Sequence, residues 1–192
     1  DKIVGMPHVP HDLFERIVAF RRDLHQHPEL SWSEHRTAGR ICHHLSELGL
    51  TPRRVAGTGV IADLPGAEQG PIVALRADTD ALPVHEQTGL DFASTNEGVM
   101  HACGHDGHTS MLLGAVELLM KEPARGPVRF LWQPAEEKGA GAPALIDAGA
   151  LQGVGMIFGG HVDRHHLPGR LVVSDGPVNA STDTFHIDIY GQ

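Results

Sequence analysis

The sequence predicts an α/β protein in which a layered, mixed sheet is flanked by helices. Two features predict this fold class. Short apolar runs bounded by Gly, Pro or Asp recur along the chain, and such runs are typical of strands buried in a sheet. Between them lie segments whose apolar residues recur three or four positions apart, the spacing typical of helices. The 192 residues, 41% of them apolar, are enough for one domain with a substantial core.

Four helices are predicted, and the first two lie near the beginning of the sequence. In residues 11–24 the apolar positions recur at intervals of four, three and four, which predicts an amphipathic helix. Residues 34–48 also place their apolar residues on one face, and Gly49 after them is a typical stop signal. Residues 109–121 are apolar on nearly every side, which indicates a buried helix, and residues 141–151 are the fourth candidate.

Strands are predicted at the short apolar runs, which cover residues 59–64, 71–78, 128–134, 154–162 and 171–176. A further segment, residues 185–190, alternates apolar and polar side chains, as a half-exposed strand does. Because the sequence stops two residues later without a partner strand, we expect this segment to be the first half of an interrupted hairpin.

The composition argues against several classes of protein. The formal net charge is −9 and no basic cluster offsets it, so neither nucleic acid nor an anionic membrane surface is an expected partner. No apolar run approaches the roughly 18 residues of a membrane-spanning helix, and the first ten residues do not look like a signal peptide. Two cysteines form no disulfide framework, so a reducing, cytoplasmic compartment is expected, with Cys42 as a core thiol.

Side chains that bind metals or protons follow several predicted strands or precede the third helix. They are Asp78 and Asp80, Glu136 and Glu137, His161, and Cys103 with His105. Ligand sites in open α/β sheets lie at the carboxyl ends of strands, so we expect these groups to converge. Taken singly, Cys103 is equally compatible with an inert buried thiol, and His161 with a structural histidine. Taken together, so many buried ionisable groups would be costly without a cation.

The chemistry of this set indicates which cation it would hold and what that cation would do. Thiolate, imidazole and carboxylate groups together suit zinc or a similar divalent first-row metal better than calcium or magnesium. The start of a helix is expected to favour the thiolate form of Cys103. In the pair Glu136–Glu137, one carboxylate can bind metal while its neighbour holds the attacking water as general base.

These residues lie in stretches that resemble the M20 metallopeptidase family. Within that family the sequence is most similar to the N-acyl amino acid amidohydrolases, a branch that includes hippurate hydrolases and plant auxin-conjugate hydrolases. The matching stretches are RRDLHQHPELSWSE (21–34), LRADTDALP (75–83), GVMHACGHDGHTSMLLGA (98–115), QPAEE (133–137) and GGHV (159–162). They occur in the family's order and cover nearly the whole chain.

The resemblance implies a site for two divalent metal ions, zinc or manganese first and cobalt or nickel as alternatives. The ligands it implies are Cys103, His105, Glu137 and His161. Glu136 would be the general base and acid, and Asp78 would orient a ligand imidazole. Asp106 and His108 lie in the same motif, where helix capping and loop hydrogen bonds are at least as good an explanation as metal binding.

The resemblance also implies a reaction and a larger protein. The reaction is hydrolysis of the amide bond of an N-acyl amino acid or short peptide by metal-activated water. Family members are longer and continue into a lid domain, which often forms homodimers, before returning with a last histidine ligand. We therefore expect residues 1–192 to be an incomplete catalytic domain and residues 180–192 to begin the connection to the lid. The alternative is a metal-binding but catalytically inactive fragment.

Overall fold

The computed structural model describes residues 9–167, 169–173, 175–176 and 187–191. The chain divides into two compact units at the bond between Val162 and Asp163. All helices and strands of the described residues lie in the first unit. The helices are α1 (His11–Gln26), α2 (His35–Glu47), α3 (His105–Lys121) and α4 (Gly141–Asp147). The strands are β1 (Arg53–Val55), β2 (Gly59–Leu64), β3 (Ile72–Asp78), β4 (Val128–Gln133) and β5 (Val154–Gly159).

The strands form one mixed sheet in the order β1-β2-β4-β3-β5. β2 runs antiparallel to both β1 and β4, whereas β3 runs parallel to β4 and β5. The register pairs Asp78 with Gln133 and Arg76 with Gly159. The carboxyl ends of three neighbouring parallel strands therefore meet at one edge of the sheet, and the predicted α/β class with a mixed sheet is confirmed.

Apolar side chains cover both faces of the central strands. On β4 the side chains of Phe130 and Trp132 join the larger core with residues of α1, α2 and α3, while Leu131 joins a smaller core on the opposite face. α4 closes that smaller core through Leu145. Both faces of β4 are buried, which is why apolar residues occur at successive positions of this strand and not at every second one.

Most of the predicted helices and strands are present, with differences at their ends. α3 begins at His105, four residues before the predicted start, because Gly104 takes a left-handed conformation (φ 83°) and ends the preceding loop. The first turn consists mainly of polar residues, a composition typical of a loop, but in the structure these residues are buried. The helix predicted over 141–151 ends at Asp147, and the strand predicted over 154–162 ends at Gly159.

The prediction of a strand over residues 171–176 is wrong for the residues that the structure describes there. Residues 171–173 have no regular structure, and Leu171 and Val173 are 88% and 85% exposed. A strand needs a neighbour to satisfy its backbone hydrogen bonds, and no strand of the described residues pairs with this run. The strand predicted over 185–190 begins in residues outside the described part, and residues 187–190 form no regular structure. Short β1 was not predicted.

No helix in the described part of the chain combines the length and apolar character that crossing a bilayer requires.

Candidate metal centre

The candidate site lies where the three parallel strands end. β3 ends at Asp78, and β4 ends at Gln133 and is followed by a turn that carries Glu136 and Glu137. His161 comes two residues after the end of β5. Together with Cys103 and His105 at the start of α3, these side chains face one another at the sheet edge. The convergence expected at the carboxyl ends of the strands is what the structure shows.

His105 is the centre of this cluster. Its ring is fully buried, and its Nδ1–H donates a hydrogen bond of 2.9 Å to the backbone carbonyl of Asp80. In the neutral ring this bond leaves the lone pair on the opposite nitrogen, Nε2. It lies 3.7 Å from Asp78 Oδ2, 3.9 Å from Glu136 Oε2 and 3.8 Å from Glu137 Oε1. This nitrogen is buried without a hydrogen-bond partner among the described residues.

Cys103 and His161 complete the cluster around His105. The Nδ1–H of His161 donates to the carbonyl of Val162 at 2.7 Å, which leaves its Nε2 to face Cys103 Sγ at 3.3 Å. One ligand atom from each of Cys103, His105 and His161 lies within 4.8 Å of the other two. The same holds for His105 with Glu136 and Glu137.

This donor set fits a divalent cation. A buried imidazole nitrogen without a partner is rare in proteins, and a metal ion at this place would satisfy it. The hydrogen bond from His105 Nδ1 to a backbone carbonyl is the arrangement that fixes a metal-binding histidine in the required tautomer. Thiol, imidazole and carboxylate donors around one point suit zinc and related first-row metals.

The pKa of Cys103 differs from the sequence-based expectation. Burial of the thiol, followed by the negative charge of the neighbouring Glu137, raises the pKa of Cys103 to about 12. The favourable effect expected from the start of α3 is thus outweighed by burial and by the neighbouring carboxylates. A cation bound between these groups would displace the thiol proton, because only the thiolate is a good metal ligand.

Asp78 is ionised and held by two positively polarised neighbours. It accepts hydrogen bonds from His108 Nδ1 at 2.6 Å and from Arg76 Nη1 at 2.8 Å. Burial alone would raise its pKa, but the hydrogen bond from His108, the polar rings of His105 and His108 and the charge of Arg76 bring the pKa of Asp78 down to about 2. The imidazole that Asp78 orients in this structure is that of His108.

His108 connects Asp78 with the loop that carries His161. Its Nε2 accepts the backbone N–H of Val162 at 2.9 Å, so both of its ring nitrogens are engaged in hydrogen bonds. The rings of His108 and His161 are in edge-to-face contact with centroids 4.6 Å apart. His108 therefore supports the position of His161, while its own nitrogens have no free lone pair to offer a metal.

Asp106 faces away from the cluster and ties α3 to α1. It makes no side-chain capping bond at the start of α3. Instead, its Oδ2 accepts hydrogen bonds of 2.8 Å from Arg21 Nε and from His25 Nδ1. The bonds to Asp106 and Glu86 raise the pKa of His25 despite its burial. Next to it, burial lowers the pKa of His101 to about 4, which keeps that ring neutral.

Two buried carboxylates beneath the Glu136–Glu137 turn have contacts that the sequence did not predict. Asp80 was predicted only to converge with the other groups at the strand ends, and Glu34 was given no role. They are 1% and 0% exposed and accept backbone N–H groups of that turn. The available signal was weak. Asp80 lies two residues after Asp78 at a strand end, and Glu34 lies in one of the stretches that resemble the family.

The fold and the cluster together define the class of the protein, an α/β domain whose candidate metal-binding side chains lie at the carboxyl ends of parallel strands and at the start of α3. Residues 74–190 match the sequence model of peptidase family M20/M25/M40, and the chain belongs to this family. The family predicted from the sequence motifs is thereby confirmed.

Several known proteins are similar to the chain over most of its length. N-acetylcysteine deacetylase of Bacillus subtilis is 49% identical over 182 residues, which are 92% of this chain and 48% of that protein. N-acyl-L-amino acid amidohydrolase of Geobacillus stearothermophilus is 44% identical over 180 residues, 92% of this chain and 49% of that protein. The chain spans about half the length of the curated relatives it matches.

The fold is also similar to solved structures. The crystal structure of the Bacillus subtilis YXEP protein, a dinuclear metal binding peptidase from the M20 family, matches with a TM-score of 0.78 and 48% sequence identity. The match covers 80% of this chain and 44% of that one.

Proposed function

We propose that the whole protein is a metal-dependent amidohydrolase that cleaves the amide bond of N-acyl amino acids or short peptides. The observation that carries this proposal is the buried His105 Nε2, which has no hydrogen-bond partner in the described chain and faces Asp78, Glu136 and Glu137. The names of two similar proteins, a deacetylase of N-acetylcysteine and an amidohydrolase of N-acyl amino acids, support the substrate class.

In this proposal Cys103, His105, Glu137 and His161 hold two divalent ions, of which zinc and manganese fit best and cobalt and nickel also fit. A bound divalent ion lowers the pKa of water and polarises the substrate carbonyl. His105 presents Nε2 because Asp80 fixes its tautomer, and His161 presents Nε2 because the Val162 carbonyl holds its Nδ1–H. His108, bonded to Asp78 and to the Val162 N–H, keeps the loop of His161 in place.

Glu136 is the general base and acid of the proposed reaction. Its side chain is 40% exposed, while its Oε2 lies 3.9 Å from His105 Nε2. The carboxylate can therefore contact both solvent and an attacking water in the cluster. It takes the proton of that water and passes it to the amine that leaves when the amide bond breaks.

The test is the substitution Glu136→Gln in the full-length protein. We expect the metal content, measured by inductively coupled plasma mass spectrometry, to stay at the level of the unsubstituted protein. The kcat for N-acyl amino acids should fall by about 10²–10⁴-fold, the usual contribution of a general base. An unchanged kcat would show that another group moves the proton.

A second assay addresses the alternative of a metal-binding but inactive fragment. The 192-residue chain is incubated with a panel of N-acyl amino acids in the presence of added Mn²⁺ or Zn²⁺. Metal-dependent turnover by this chain would exclude the alternative. Metal binding without turnover, together with an active full-length protein, would favour it.

A further inference from the structure

The turn that carries Glu136 and Glu137 is anchored through its backbone. Ala135, the first residue of the turn after Pro134, is left-handed with φ of 47° although it is not a glycine. This conformation is unfavourable in a residue with a Cβ and persists only where neighbouring groups hold it. Here the N–H groups of three successive residues, 135 to 137, are all accepted by buried carboxylates.

Asp80 accepts two of these three N–H groups. Its Oδ1 accepts the N–H of Glu136 and its Oδ2 accepts the N–H of Glu137, both at 3.1 Å. Ser31 Oγ donates a further bond of 2.7 Å to Oδ2. The backbone carbonyl of the same residue accepts His105 Nδ1–H at 2.9 Å. Asp80 thus contacts three residues of the candidate site, two through their backbone N–H groups and His105 through the ring nitrogen opposite Nε2.

Glu34 accepts the remaining N–H group. Its Oε1 accepts the N–H of Ala135 at 2.8 Å, and its Oε2 accepts Thr58 Oγ1–H at 2.6 Å. Ala135 has no side chain that could bind a metal or move a proton. The bond from Glu34 therefore holds the entry of the turn, whereas the bonds from Asp80 hold the two residues with functional side chains.

We propose that Asp80 is a positioning residue, which fixes the positions of the Glu136 and Glu137 carboxylates and the His105 imidazole relative to one another. This inference rests on the proposed function and adds a residue to its site. An ionised carboxylate accepts hydrogen bonds at both oxygens, and charge-assisted bonds of this kind are about twice as strong as neutral ones. Two neighbouring N–H groups on one carboxylate fix both the distance and the orientation of the turn.

The proposal predicts that replacing the carboxylate by an amide has a larger effect at Asp80 than at Glu34. In Asp80→Asn an NH₂ group must face either the Glu136 or the Glu137 N–H, so one donor of the turn meets another donor. In Glu34→Gln the amide oxygen can keep the Ala135 N–H, because the Thr58 hydroxyl can rotate and accept from the new NH₂. Glu34→Gln is thus a matched control on the same turn.

The test compares both variants in the full-length, metal-loaded protein. For Asp80→Asn we expect kcat to fall by roughly 10–100-fold, with a similar loss of metal affinity, as for other groups that orient metal ligands. Amide hydrogen exchange at Glu136 and Glu137 should speed up in the same variant. Glu34→Gln should keep the exchange rates of both amides and change kcat far less.

Several outcomes would overturn the proposal. One is an Asp80→Asn variant with a lower Tm whose folded molecules keep the kcat and metal affinity of the original protein, because this is what a purely structural role predicts. If this variant does not fold, exchange in the unsubstituted protein decides: the amides of Glu136 and Glu137 must exchange as slowly as those of β4, and fast exchange refutes the proposal. A protein without metal-dependent turnover would refute the proposed function, while the exchange data would still test the contacts of Asp80.

Discussion

The buried carboxylate of Asp78 shows how single residues hold the site together. The side chain is 1% exposed, yet it is ionised because His108 and Arg76 donate hydrogen bonds to it. A buried charge is stable only with such partners. Since His108 in turn accepts the N–H of Val162, the position of His161 depends on a chain of contacts that begins at the end of β3.

Because the pKa of Asp78 is low, the free energy of unfolding should depend on pH in the acid range. Its pKa is about 2 in the folded protein and 3.8 in an unperturbed chain, so its stabilisation is fully present above 3.8 and is lost as the pH falls from 3.8 towards 2. This difference corresponds to about 2 kcal/mol. We expect Asp78→Asn to lower the free energy of unfolding by about this amount at neutral pH and to flatten its fall in acid.

Urea unfolding at a series of pH values, with a chelator present, measures this effect. The exposed Asp12, which pairs with Arg16 one helical turn away, is the matched control. Its amide variant should change stability far less, because water and salt screen a surface pair. If Asp78→Asn kept the full acid dependence of the original protein, the stabilisation would have to come from another carboxylate.

The candidate site shows what a sequence can predict at the scale of residues. Glu137 and His161 were predicted to converge because residues at the ends of parallel strands share an edge, and Cys103 was expected to join them from the start of the third helix. In the structure, Cys103 and His161 lie beside His105, as does Glu137. The contacts of Asp80 could not be predicted in this way. They depend on which oxygen faces which N–H group in a left-handed turn, a detail that side-chain pattern and spacing do not carry.

At the scale of elements, α3 depends on the glycine in front of it. Gly104 is left-handed, and a Cβ built on it would lie 2.6 Å from Val162 Cγ2. A glycine at this place lets the backbone turn into the helix and allows the loop that carries His161 to pack against its start. The sequence predicted the helix start at Thr109, because the polar residues before it interrupt the apolar pattern of the helix. The structure shows that these polar residues are buried in its first turn.

We expect Gly104→Ala to damage both stability and the site. The left-handed conformation alone should cost about 1–2 kcal/mol in free energy of unfolding. The contact with Val162 should push the neighbouring His161 away from Cys103 and weaken metal binding. Thermal unfolding and calorimetric titration with Zn²⁺ measure the two effects.

Gly107→Ala is the control for this substitution. Gly107 lies in the first turn of α3, where a Cβ would meet nothing within 4 Å. Alanine has a higher helix propensity than glycine, so this variant should keep its metal affinity and gain up to about 1 kcal/mol of stability. If both alanine variants bound Zn²⁺ as tightly as the original protein, the contact between Gly104 and the His161 loop would have no role in the site.

At the scale of the whole first unit, the sheet is unevenly covered. The inner strands β2 and β4 are buried, whereas β5 lies at the edge and pairs only with β3 among the described strands. Its side chains Met156, Ile157 and Phe158 are 56%, 48% and 54% exposed. The apolar run predicted the strand correctly, but the burial expected of such a run is not found for β5 among the described residues.

An exposed apolar edge strand is a site for association, because its free N–H and C=O groups can pair with another chain. We therefore expect the 192-residue chain to self-associate at micromolar concentrations, and Met156→Lys to reduce this association by placing a charge on the edge. Met111→Lys is the matched control, since Met111 is 55% exposed but lies on α3, where the backbone hydrogen bonds are satisfied within the helix. Light scattering over a concentration series distinguishes the two variants. An equal effect of both lysines would mean that added charge alone keeps the chains apart, and an effect of Met156→Lys alone would locate the association at β5.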